Sequence, residues 1–527
     1  MASSRHLLIT TLAALLLAAA CDSTAPQPSI PTSSDDGAPS AAAAFTPTFA
    51  DATCPDDVST NVVIRVSCGF VTVLEDRSQP AGRTIQLFVA RFDPPGGTST
   101  PDPIVALGHL ATQDGYGDMS GGGQRTHRIL YLMDPRGVGH STPSLACPEV
   151  PSIGPDLAGY RLRDSARGEL LRNAIQACHD RLVGQGIQLA DYDLAANAAD
   201  LDDIRAALGI KQWNLMSNGD ASRVVLEVAR RYPTGLRSLI IDSPSLPAPD
   251  FLTVGPASLD LAISQVVAIC GRQSACGRAF PDVAAMIRSA IAQLDATPLD
   301  LQVDGTVDAI RLGHPIHAVI DGAALVRILR FGLGSAGGSA AGRALLTVRD
   351  ALDGKLRNDD PNILALVSDV GDCLGILTIC ELPSLGALYS IICRDYASQI
   401  DESRLSSSID GRPGYADVFS PSPLLAACPV WGVEAATAGP GGSPTGGVPT
   451  LVLRGALDPF SASAADVGTA TNGSPNVFIL PIPNQSYNAL GFTECPRAIR
   501  NAWIDAITAP PADTTCLGSI AEPNLAP

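Results

Sequence analysis

The chain has seven histidines, His6, His109, His127, His140, His179, His314 and His317, and none follows residue 317. Any imidazole base must therefore come from the stretch of chain before that point. Basic residues are also scarce, with 35 Lys and Arg against 53 Asp and Glu and a net charge of -18. That balance excludes nucleic acid as a partner, since phosphate binding needs a basic surface. No C-x-x-C or H-x-x-x-H spacing occurs, so a zinc site is not expected, and no other metal or cofactor motif replaces it. A strict G-x-S-x-G is missing as well. Beyond the first twenty residues no apolar run is expected to span a bilayer, and no internal repeat of convincing period occurs.

The first twenty residues place Arg5 and His6 ahead of LLITTLAALLLAAA, too short an apolar core for a spanning helix and suited to an export signal. LAAAC resembles a bacterial lipobox, which makes Cys21 the expected lipidation site and residues 1–20 a lipoprotein signal peptide. The alternative is an ordinary secretory signal with a fortuitous cysteine. Residues 21–53, rich in Ser, Pro and Ala, are expected as a disordered tether. The expected location is the bacterial cell envelope, on the periplasmic or cell-surface side, with the membrane as a partner through acyl chains. Twelve cysteines remain after Cys21, an even count that behind an export signal argues for disulfides. Cys54 with Cys68, Cys270 with Cys276 and Cys495 with Cys516 are the neighbouring pairs; spacing alone does not fix the connectivity.

RTIQLFVARFDP alternates as a half-buried strand does, and DPIVALG, RILYLMD, WNLM, LRSLIIDSP, TLVLRG and NVFILPIP read as buried strands. DYDLAANAADLDDIRAAL, ending at Gly209, and the stretch from Ala221 to Arg231 have helical spacing. Strands alternating with helices predict an α/β class with a mostly parallel sheet covered on both faces. Residues 54–246 and 429–527 form the expected core, and residues 247–428, mostly helical, the expected lid. GLGSAGGSAAG reads as a loop between two lid helices, since no Lys-Ser or Lys-Thr pair accompanies it.

Six ordered elements, VSCGFVTVLEDRSQPAGRTIQLFVARF, DPRGVGHSTPSLACPE, NAADLDDIRAALGIKQWNL, RRYPTGLRSLIIDS, TLVLRGALDP and ECPRAI, resemble the secreted tripeptidyl and prolyl aminopeptidase branch of the α/β-hydrolase fold. The resemblance covers most of residues 54–517 and is weakest in the lid. It implies an α/β-hydrolase core with a helical lid insertion, and hydrolysis of a peptide or ester bond through a serine acyl-enzyme in the cleft between them. Laid over the family pattern, the elbow that presents the nucleophile reads Ser217, Asn218, Gly219, Asp220 and Ala221, with glycine where the serine belongs. The family's histidine turn corresponds to PNQSYNAL, which puts Tyr487 in its place. Asp458 in RGALDP matches the family's acid, whose work is to orient that histidine. Without a histidine, Asp458 reads equally as a polar residue capping a turn. Where the family has a Gly-Gly-Pro-Gly oxyanion turn, this chain has Gly108, His109, Leu110, Ala111 and Thr112.

Substitute nucleophiles are confined to Ser217, Asp220 and Ser222, and Asp220 lies one residue past the apex. Glycine at the apex removes the backbone cost that a side chain there incurs. Asp134, Arg136 and His140 of DPRGVGHS read as structural. Three functional readings follow from the joint loss of serine, histidine and oxyanion glycines. The first is an inactive protein that binds a peptide or small molecule in the cleft between core and lid. The second is an active peptide or ester hydrolase with a rearranged site, using Ser217, Asp220 or Ser222 and a histidine from the lid. The third is an envelope scaffold or interaction protein, for which Tyr487 and lid side chains should plug the cleft.

Overall fold

The computed structural model describes residues 45–59, 65–94, 97, 100–108, 127–245, 250–335, 338–368, 384–419, 425, 427–436, 445–507 and 510–526. Cys21 with the expected leader and most of the expected tether, His109 to Thr112, and Cys373 and Cys380 lie outside them.

Three antiparallel strands come first: β1 (Thr48–Ala52), β2 (Val66–Leu74) and β3 (Thr84–Phe92). β4 (Ile104–Leu107) and β5 (Leu130–Met133) follow, then β6 (Trp213–Asn218) and β7 (Leu236–Asp242). A separate antiparallel pair, β8 (Leu299–Val303) and β9 (Ile316–Ile320), precedes β10 (Thr450–Gly455) and β11 (Val477–Ile482). The main sheet has the order β1-β2-β3-β5-β4-β6-β7-β10-β11, parallel from β5 onward. The crossing of β4 and β5 puts β6 near its middle.

Each central strand is apolar on both sides because both faces are covered. Val105, Leu215, Ile241 and Val452 pack on one face against Ile175, Leu201 and Val225, from helices Ser165–Gly184, Leu194–Ala207 and Ser222–Arg231. Ala106, Met216, Ile240 and Leu451 pack on the other against Trp503 and Ile504 of helix Glu494–Ala506. Asp193 caps helix Leu194–Ala207 by accepting from the Ala196 N–H, which contributes about 1 kcal/mol.

Helices Asp250–Arg272, Val283–Ala296, Gly322–Gly334 and Gly338–Leu352 enclose a second core with β8 and β9, here called the cap. Leu385 to Leu405 and Trp431, within or next to the expected lid, bury instead with the sheet's helices, and the Cys393–Cys428 disulfide ties that segment together. Sequence reading left no candidate span after the leader, but Val254–Arg272 is long and apolar enough to be one by composition. It is a cap core helix: Leu259, Ala262, Val266 and Ile269 recur at helical spacing and are buried in the cap.

Among the described residues five disulfides close, Cys54–Cys68, Cys147–Cys178, Cys270–Cys276, Cys393–Cys428 and Cys495–Cys516. Among the described residues one trio has metal-ligand proximity, Cys147, Glu149 and Cys178, but both sulfurs are in a disulfide and Glu149 binds Arg181 at 2.6 Å. No thiolate is left there for an ion.

Candidate active-site rim

Parallel strands align their C-terminal ends, so the register sets which loops meet. Asn218 of β6 lies beside Asp242 of β7, Asp242 beside Leu453 of β10, and Gly455 of β10 beside Ile482 of β11. The residues that follow, Gly219, Ser243, Asp458 and Tyr487, therefore occupy one rim.

Gly219 makes the turn from β6 into helix Ser222–Arg231 at φ +56°, a left-handed conformation that a side chain resists. A strand, a tight turn with glycine at its left-handed residue and a helix thus follow one another here. Ser222 is fully engaged with backbone: its Oγ donates at 2.6 Å toward Gly219 O, lies 2.8 Å from Ser245 O and accepts from Ser245 N at 2.9 Å. Ser217 is 1% exposed, and its Oγ has no hydrogen-bond partner among the described residues. Strand alternation sets it on the face of Leu215, under the covering helices and away from the rim. Three residues past Asp220, the Arg223 guanidinium binds Ser245 Oγ at 2.6 Å and lies 4.6 Å from the Tyr396 ring centre. Burial pushes the Tyr396 phenol up, and Asp220 adds to the push while Arg223 opposes it.

Asp458 is completely buried and spent on its own loop. Its carboxylate accepts from Phe460 N at 2.8 Å, from Ser461 N at 3.2 Å and from Ser461 Oγ. Arg454 holds the same loop by donating to the carbonyls of Ala462, Gly455 and Asp458. This is a turn-capping arrangement, in which the carboxylate orders the backbone of its own loop.

Tyr487 packs edge-on against Phe460 at 5.6 Å. Phe460 is in turn covered by the cap: Arg330 stands 4.8 Å from its ring and 5.0 Å from that of Phe419. Gly334 abuts the same ring so closely that a Cβ there would fall 1.9 Å from it, and Ser486 Oγ donates to Leu333 O. Burial pushes the Arg330 guanidinium down to about 10, with Asp458 and Tyr415 opposing. The cap helix Gly322–Gly334 is therefore latched to both loops that would carry an acid and a base.

A residue that sequence reading passed over completes the rim. Asp242 accepts from Leu490 N at 2.7 Å and Ala489 N at 3.2 Å, and Ser243 Oγ accepts from Asn488 N at 2.9 Å. Ser243 and Asn488 hold φ +54° and +61°. Burial raises the Asp242 carboxyl to about 7; the two N–H groups lower it and the charge of Asp458 raises it further. The signal was visible as an aspartate closing the apolar strand LRSLIID beside the elbow strand.

The DPRGVGHS residues serve structure. Arg136 forks onto both oxygens of Asp200 at 2.6 Å and donates to the carbonyl of Glu75 at 3.0 Å, while Asp134 accepts from His140 N at 2.7 Å.

A family profile described as the alpha/beta hydrolase fold matches residues 124–261, which hold β5, β6, β7 and the elbow. The chain is 28% identical over 212 residues to a tripeptidyl aminopeptidase of Streptomyces lividans, covering 35% of this chain and 36% of that protein. It is 26% identical over 251 residues to carboxylesterase B of Mycobacterium tuberculosis, covering 42% and 45%. The chain thus spans about a third to a half of the length of these relatives. A proline iminopeptidase structure from Mycobacterium smegmatis aligns at 14% identity and a TM-score of 0.39, over 83% of this chain and 97% of that one.

Proposed function

From the premise that this chain has the α/β-hydrolase fold and resembles tripeptidyl aminopeptidases and esterases at low identity, we propose that it no longer performs acyl-transfer chemistry and acts as a non-catalytic binding or interaction protein of the cell envelope, anchored through Cys21. Acyl transfer needs a nucleophile, a base within reach of it and a group that orients the base. The observation that carries the reading is the commitment of Asp458 to Phe460 N and Ser461 N, with Tyr487, the residue that the resemblance aligns with the family's histidine, packed edge-on against Phe460. Gly219 at the apex and the bound hydroxyl of Ser222 point the same way. The latch of Arg330 on Phe460 favours interaction through surfaces outside this region of the former cleft over a peptide held against Asp458.

The test is hydrolysis of aryl esters and of aminoacyl and tripeptidyl anilides by the protein, by Gly219→Ala and by Gly219→Ser/Tyr487→His. A silent parent supports the proposal, and weak activity gained by the double variant would mark Gly219 and Tyr487 as the old site. Turnover by the parent above both the buffer and Gly219→Ala overturns the proposal and directs attention to Asp220. Labelling with radioactive palmitate, lost in Cys21→Ala, checks the anchor.

A further inference from the structure

Residues 521–526 form no helix or strand, and among the described residues none of their backbone groups bonds to another backbone group. One side chain holds them instead. Gln273, just past helix Asp250–Arg272, donates from Nε2 to Pro523 O at 2.8 Å and accepts from Leu525 N at 3.0 Å on Oε1. Leu525 is completely buried in the cap core, while Glu522 and Asn524 are exposed. Its backbone lies against Gly342 of helix Gly338–Leu352, where a Cβ would fall 3.4 Å from Leu525 O and 3.6 Å from Leu525 Cα. Glu522 accepts from Arg272 Nε at 2.8 Å, an exposed pair that adds little. A main chain read through hydrogen bonds, with an apolar side chain as anchor, is how a receptor holds a peptide.

The same stretch of chain is moored on the core. Cys516 is bonded to Cys495 of helix Glu494–Ala506, and Leu517 and Ile520 pack on the core that holds Trp503 and Ile504. Ile520 O accepts at 2.8 Å from Asn484 Nδ2, on the loop that leads from β11 to Tyr487. Between Ile520 and Leu525 the chain therefore passes from the sheet's core to the cap's. The Cys270–Cys276 disulfide braces the turn that carries Gln273.

We propose that Gln273, Gly342 and Arg272 mark a peptide-docking site on the cap, for a segment of the form Glu-x-x-Leu, which the chain fills with its own residues 522–525 and so straps cap to core. Leu525 and the two main-chain contacts carry the recognition, and Glu522 refines it. The site uses no residue of the former cleft and stands whether or not the protein hydrolyses anything.

Hydrogen exchange and calorimetry on the full chain test this with a synthetic peptide of residues 519–526, SIAEPNLA. In Leu525→Asp the strap should leave, so that exchange in residues 270–277 rises about tenfold while helix Glu494–Ala506 keeps the parent's rates. The peptide, added to roughly 1 mM, should bind this variant saturably and restore the parent's rates in residues 270–277. The same peptide with Leu525→Asp should not bind. The parent should bind the peptide about tenfold more weakly or less, because its tethered copy holds the site at an effective concentration on the order of mM. Gly342→Leu, a favourable change for the helix itself, should expel the strap yet take up no peptide. Circular dichroism verifies that both variants are folded. Gln273→Ala keeps Leu525 and removes both main-chain contacts, and should by itself speed exchange of the Leu525 amide. Unchanged exchange there overturns the proposal even where Leu525→Asp does not fold. A folded Leu525→Asp that binds no peptide, a parent that binds it as tightly as that variant, or a Gly342→Leu that binds it equally well would each overturn it too.

Discussion

Asp242 links rim geometry to a pH dependence that can be worked out. In the unfolded chain its carboxyl has the ordinary value of 3.8, and in the folded protein burial lifts it to about 7. Below pH 3.8 both states carry the proton, and Asp242 contributes no pH dependence. Between these values the unfolded chain releases the proton while the folded one retains it, so the folded state binds more protons and stability falls as pH rises. Above pH 7 both are ionised and the loss is complete. The interval is about three powers of ten in proton affinity, each about 1.4 kcal/mol, so the full loss is about 4 kcal/mol, an upper bound since the folded site can relax. Asp242→Asn removes this titration at the cost of the contact with Leu490 N or Ala489 N. Urea unfolding of both proteins at pH 5, 6, 7 and 8 isolates the effect, because other groups cancel in the difference. The variant should gain on the parent by about 1.4 kcal/mol per pH unit from pH 5 to 7, about 3 kcal/mol in all, and level off by pH 8. A difference that stays flat with pH would refute the burial argument. Asp458→Asn removes the neighbouring charge that raises Asp242, and should shift the parent's loss to lower pH.

Gly219→Ala should destabilise by about 1–2 kcal/mol in denaturant titration, because φ is +56° there, and leave hydrolysis at background. Arg330→Ala should cost at least about 2 kcal/mol and speed amide exchange in residues 456–461 and 484–488, since it strips the cation from between Phe419 and Phe460. Gly334→Ala should open the same latch from the other side, and equal exchange rates in parent and variant would count against it. Replacing Cys393 and Cys428 by serine should destabilise more than replacing Cys270 and Cys276, by about 1.5 kcal/mol in unfolding, since the first pair closes 35 residues and the second six.

Much of this was legible in the chain. IVAL, LYLM and the LVL of TLVLRG are uninterrupted apolar runs, and only a sheet covered on both faces buries such runs completely. The turn at Gly219 was legible because it is local: strand, turn and helix lie within twenty residues. The pairs Cys54–Cys68, Cys270–Cys276 and Cys495–Cys516 were legible for the same reason of short separation. The latch was not, because Arg330 and Phe460 are far apart in sequence and Arg330 reads as an ordinary polar position in a helix. Nor was the fate of Leu385 to Leu405, whose apolar residues fit either core and choose the sheet's helices through packing alone. Asp242 was readable as a strand end, but its shifted proton affinity comes from Asp458 and complete burial, which sequence does not display.

β1 is an exposed edge strand, joined to the sheet only through β2, and its partner Cys68 is disulfide-bonded to Cys54 just beyond it. Mechanically this makes a fuse with a stop. A force applied at the N-terminal side of Thr48 first peels five residues whose hydrogen bonds break in succession. It then meets a covalent link into a strand clamped along nine residues to β3. Once β1 has peeled, the load bypasses residues 55–67 and enters the sheet at Cys68, where it is shared over the nine-residue pairing of β2 with β3.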